Sequence, residues 1–99
     1  MSNGFPFPGE VQVIPSAGAP GTPVRIEIRL SDDAPPISRV EAEVVGYGIR
    51  YPIYGAGRKF AADVQVPHEA PPGRYQIIFS AYTPSGEASQ GERVEFTVI

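Results

Sequence analysis

From Pro23 to Leu30 the chain reads PVRIEIRL, with Val24, Ile26, Ile28 and Leu30 on one side and Arg25, Glu27 and Arg29 on the other. Successive side chains of an extended chain point to opposite faces, so this stretch predicts a half-buried strand with a charged solvent side. The alternation recurs four times. Ser38–Val45 sets Val40, Ala42 and Val44 against Arg39, Glu41 and Glu43, and Lys59–Val66 sets Phe60, Ala62, Val64 and Val66 against Lys59, Asp63 and Gln65. Arg74–Tyr82 turns Tyr75, Ile77, Phe79 and Ala81 inward, leaving Ile78 and Tyr82 on the outer side. Glu92–Ile99 turns in Val94, Phe96 and Val98. Two weaker strands complete the set: Val11 and Val13, ended by Pro15, and the apolar IRYPIY of Ile49–Tyr54, which Pro52 marks as an irregular edge strand.

Between these runs lie SAGAPGT, SDDAPP, the Gly46–Gly48 region, GAG at 55–57, PHEAPPG and TPSGEASQG, all rich in turn formers. No window of eleven or more residues keeps a helical period without a Pro or Gly breaking it. Seven short strands at spacings of about 10–14 residues predict an all-β, antiparallel sandwich with no helix of note. Residues 10–99 make one domain and residues 1–9 an extended segment or linker.

Composition changes this picture little. The 12 Pro and 11 Gly raise the question of disorder, but 41% hydrophobic residues in spaced clusters fit a folded chain whose breakers fall between strands. Eight basic against 11 acidic residues leave a net charge of −3 and no polycation for nucleic acid. No run approaches the ~18 apolar residues of a membrane span, so neither nucleic-acid binding nor membrane insertion is expected. With no Cys and one His, neither a disulfide framework nor a metal site is expected, and no cofactor is implied. The first ten residues, MSNGFPFPGE, lack the charged and apolar regions of a signal peptide.

From Val64 onward the sequence is VQVPHEAPPGRYQIIFSAYTPSGEASQGERVEFTVI, which resembles the C-terminal half of bacterial immunoglobulin-like and fibronectin type III-like surface modules. In those families a strand ending in Val-Pro leads to a Pro-Gly-x-Tyr turn, an alternating strand, a Gly-containing hairpin and a final strand. Pro72-Gly73-Arg74-Tyr75 matches the turn, and Ile77 stands where an antibody domain carries its second cysteine. The resemblance implies that Tyr75 is a tyrosine-corner residue, its hydroxyl bonded to backbone upstream. PSAGAPGTPVRIEIRL resembles, less specifically, the first connection and second strand of such modules. The antibody cysteine pair and the third-strand tryptophan are both missing, so the resemblance is to the wider superfold and extends over about 85 residues. It implies an immunoglobulin-like sandwich. Its members are spacers, adhesion or ligand-binding modules of larger extracellular proteins, or subunits of filaments and virions.

No nucleophile–base constellation stands out. His68 and Glu69 are neighbours in a loop, and adjacent extended residues point apart. Asp32-Asp33 is a single acidic doublet without the alternating acids of a calcium loop. Gly55-Ala56-Gly57-Arg58-Lys59 lacks the spacing of a phosphate loop. The notable cluster is Tyr47, Tyr51 and Tyr54, with Arg50 and Arg58 beside them: rings with polar tips and forked donors suit protein or carbohydrate contact. Alternation places Tyr51 on one face and Arg50 with Tyr54 on the other. The second candidate is Phe5-Pro6-Phe7-Pro8, an extended segment whose two phenylalanines would anchor it on a neighbouring module or on its own domain. The expectation is a non-catalytic structural or interaction module of a larger extracellular or surface protein, bound to a neighbouring protein domain or subunit. The alternatives are a small carbohydrate-binding module and an accessory domain of a secreted hydrolase.

Overall fold

The computed structural model describes residues 4–99, so the first three residues of the N-terminal segment lie outside the described residues. The strands are β1 (Gly9–Ile14), β2 (Ala17–Gly18), β3 (Pro23–Leu30), β4 (Arg39–Val44), β5 (Ile49–Ala56), β6 (Lys59–Gln65), β7 (Gly73–Tyr82) and β8 (Glu92–Val98). Among the described residues there are eight rather than about seven, because two residues of the SAGAPGT connector pair with β8. That pairing, Ala17 with Thr97 and Gly18 with Val98, is parallel, so the fold is not purely antiparallel. A pairing of two residues shows no period and has no signature in the sequence.

The strand order is β1-β3-β6-β5-β4-β7-β8-β2. It forms two layers, β1, β3 and β6 in one and β4, β7, β8 and β2 in the other, with β5 shared. Ile49–Ile53 of β5 pair with β4, whereas Tyr54–Ala56 pair with β6. The irregular strand expected around Pro52 is thus the strand that changes sheets. Pro52 has no N–H to donate, and it sits where β5 has a partner on one side only.

The alternation in β3 becomes strict burial of every second residue, because its charged face meets water and its apolar face meets the other sheet. On the outer side Arg25 pairs with Glu27 at 3.2 Å and Asp63 at 3.0 Å. The core has two parts. One end is filled by large side chains, with Phe60, Phe79, Ile28, Ile53 and Val40 fully buried. The other rests on Val24, Val66, Phe96 and Val98, three of them valine. That difference in volume shapes the candidate site.

Candidate functional site

β4 and β5 are joined by a tight turn at 45–48. Gly46 and Gly48 both have positive φ, +87° and +67°, which L side chains resist, and between them they lift Tyr47 out of the sheet. The Tyr47 N–H donates to the Val44 carbonyl at 3.2 Å, and the Val45 N–H donates to Gln76 of β7 at 2.9 Å, tying the turn to both strands. Tyr47 remains 56% exposed, its ring 5.5 Å from that of Tyr75 and tilted by 38°.

Tyr75 stands near the start of β7, and its hydroxyl donates to the Pro71 carbonyl at 2.5 Å. Loss of hydration holds the Tyr75 hydroxyl above its usual value of 10.0, and the nearby Tyr47 hydroxyl adds to the effect. The unfolded chain therefore gives up this proton first. The resulting stabilisation is complete below the ordinary tyrosine range and is lost as pH rises from there through the folded value. Urea midpoints measured from about pH 8 to about pH 11 should fall for the wild type. In Tyr75→Phe that part of the fall should vanish, while the midpoint near neutral pH drops through loss of the hydrogen bond. Equal alkaline slopes in the two proteins would show that the shift does not reach stability.

Behind the tyrosine pair the two sheets do not close. A cleft of about 340 Å³ runs between them. Its walls are Val13, Val24, Ile26, Val64 and Val66 from one sheet and Ala42, Val44, Ile77, Phe96 and Val98 from the other. Tyr47, Ile49, Tyr51 and Tyr75 stand with Pro67, Glu69, Ala70 and Pro71 around the remainder. Facing sheets lie about 10 Å apart, a gap that two layers of larger side chains fill. Valines on both sides, with Ala42 on one, leave it open at this end.

The structure divides the tyrosine cluster. Tyr47 and Tyr51 both line the cleft, Tyr51 half-buried against the main core. Tyr54, two residues further along, is 68% exposed where β5 has passed to β6. Arg50 reaches Glu43 at 3.8 Å on the outer face. Arg58, in the β5–β6 turn, donates to the Asp32 carbonyl at 3.2 Å and lies 3.9 Å from its carboxylate. The two arginines and the three rings do not form one surface.

The N-terminal segment is held on its own domain. The Gln90 N–H donates to the Phe5 carbonyl at 2.7 Å, and the Ser31 N–H and hydroxyl both donate to the Pro8 carbonyl, at 2.9 and 3.1 Å. Phe7 packs against the main core, so the segment straps the end of the sandwich opposite the cleft's valines. No group of three or more His, Asp or Glu side chains able to hold a metal occurs among the described residues.

Reading single strands missed the cleft walls, because each valine there looks like any other inward residue. The available signal was the sum across strands: inward valines toward one end of the strands at 23–30, 38–45, 59–66 and 92–99, and no tryptophan anywhere.

The strand order and the sheet-switching β5 now bear comparison with solved structures. The fibronectin type-III domain of human fibronectin type III domain containing protein 3 is similar to this chain over 99% of its length and 89% of that domain, with a TM-score of 0.59 and 23% identity. The fold is a fibronectin type III-like β-sandwich. No protein-family model matches the sequence, and no curated protein does. Within this fibronectin type III-like frame the cleft lies between the two sheets, and the Tyr47 turn at its rim joins the two strands beside it.

Proposed function

We propose that this chain is a non-catalytic interaction module of a larger extracellular or surface protein. Its partner is protein, a neighbouring domain or subunit, and its contact surface runs along residues 45–54. One observation carries this reading. Of the six exposed large hydrophobic side chains among the described residues, four fall in that one stretch: Val45, Tyr47, Ile49 and Tyr54. Apolar residues scattered singly over a surface mean little, whereas a concentration of them in one short stretch of chain marks a contact. Aromatic residues favour such contacts because a large area is buried with few rotatable bonds. The fold agrees with the reading, since fibronectin type III domains are generally non-catalytic modules.

Sedimentation velocity over the micromolar to millimolar range tests the subunit form of this contact. The wild type should self-associate as its concentration rises, and Tyr54→Glu should stay monomeric with an unchanged circular dichroism spectrum. Tyr54 is exposed and outside the core, so this variant should fold normally. A wild type that stays monomeric throughout, or a Tyr54→Glu protein that associates as strongly, would remove residues 45–54 as a self-contact surface.

A further inference from the structure

The cleft between the sheets adjoins the stretch just described and shares Tyr47, Ile49 and Tyr51 with it, but its interior has a chemistry of its own. Its walls are apolar, aliphatic apart from Phe96, and its volume of about 340 Å³ is a little over twice the roughly 150 Å³ of an apolar cavity that stays dry and takes up benzene. It lies in the range of small-molecule sites, which begins at about 300 Å³. The space lies between two facing sheets, with apolar side chains of β1, β3 and β6 on one side and of β4, β7 and β8 on the other, an arrangement that suits an extended apolar chain.

Charge narrows the occupant further. No Lys, Arg or His lines the cleft, and Glu69 stands at its rim. An anionic head group would find no cation there and would meet one like charge, in a protein whose net charge is already −3. The Tyr47 side chain, 56% exposed at the mouth, brings a hydroxyl that can exchange hydrogen bonds with a neutral polar end. We propose that the cleft binds a single uncharged, medium-chain alkyl molecule with its chain between the sheets and a hydroxyl-type end at Tyr47. With about twice the room that benzene needs, the chain has about ten carbons.

This inference does not rest on the protein contact at residues 45–54, and the test separates the two. The probe is the neutral fluorophore N-phenyl-1-naphthylamine, displaced in competition by decan-1-ol or by decanoate at neutral pH. The expected result is saturable one-site binding that decan-1-ol displaces, with decanoate weaker by about tenfold or more. Val64→Phe and Val44→Phe each place a ring in the cleft and should weaken probe binding by about tenfold or more. Tyr54→Glu should leave it unchanged, even where self-association is lost. A second measurement needs no variant: methyl NMR of the wild type with decan-1-ol should show shifts at Val24, Val64, Val66 and Ile77. Absence of saturable binding, binding that survives both phenylalanine variants, equal competition by decanoate, or methyl shifts confined to residues outside the cleft such as Val45 and Ile14 would each overturn the proposal.

Discussion

Replacing Phe79 with alanine should cost about 3–5 kcal/mol of unfolding free energy. Phe79 lies in the middle of β7, opposite Ala42 of β4 and Glu92 of β8, and is fully buried at the filled end of the core. Truncation there loses the transfer free energy of the ring and leaves a void. Ala42, the residue opposite it on β4, is too small to close that void by changing rotamer. Domains of this size hold about 5–15 kcal/mol in all, so the loss is a large part of the whole. Phe96→Ala is the matched comparison. Phe96 is 6% exposed and already lines the open cleft, so removing it widens a space that exists instead of creating one. Urea denaturation of both variants should show the smaller loss for Phe96→Ala. Equal losses, or less than about 2 kcal/mol for Phe79→Ala, would mean that the two ends of the core are not packed differently.

Gly55→Val should destabilise by about 2–3 kcal/mol, a large effect for an exposed position. A side chain here would run into the carbonyl oxygen of Lys59 and lie 2.6 Å from the Cα of Phe60. Both obstacles are backbone, and neither can swing aside as a side-chain tip would. Relief requires β5 to part from β6, which breaks the pairings of Tyr54 with Ala61, Gly55 with Phe60 and Ala56 with Lys59. Amide hydrogen exchange should therefore speed up at 54–56 and 59–61 before it does in β7. Ala56→Val, one residue along on an exposed site, should stay within about 0.5 kcal/mol of the wild type. If Gly55→Val is as mild as Ala56→Val, the close approach of the two strands does not hold the crossing.

These two positions also show why some of the fold was legible and some was not. Phe79 could be placed in the core from the sequence, because its neighbours at every second position are apolar and the residues between are mostly not. Gly55 was read as part of a connector. It belongs to a strand, and the need for glycine there comes from β6, four and five residues on, lying against its backbone. Pro52 pointed to an irregular edge, but that β5 would belong to both sheets depended on how far apart β4 and β6 come to lie. The candidate residues followed the same division. Tyr51 and Tyr54 were assigned to opposite faces by alternation, and the structure keeps them apart. That Tyr47 would meet Tyr75, 28 positions later, was not visible from either segment alone.

By itself the sequence determined the class of fold, the location of most strands, the face each long strand buries and the absence of a helix among the described residues. Those properties follow from local periods and from where proline and glycine interrupt them, and neither needs knowledge of a distant residue. Tertiary structure alone decided the parallel β2–β8 pairing, the crossing of β5, the docking of Phe7 on its own domain and the cleft. Each of these depends on a distance between segments far apart in the chain. The cleft does so most of all, because its volume is what remains when the valines of both sheets fail to span the gap between them.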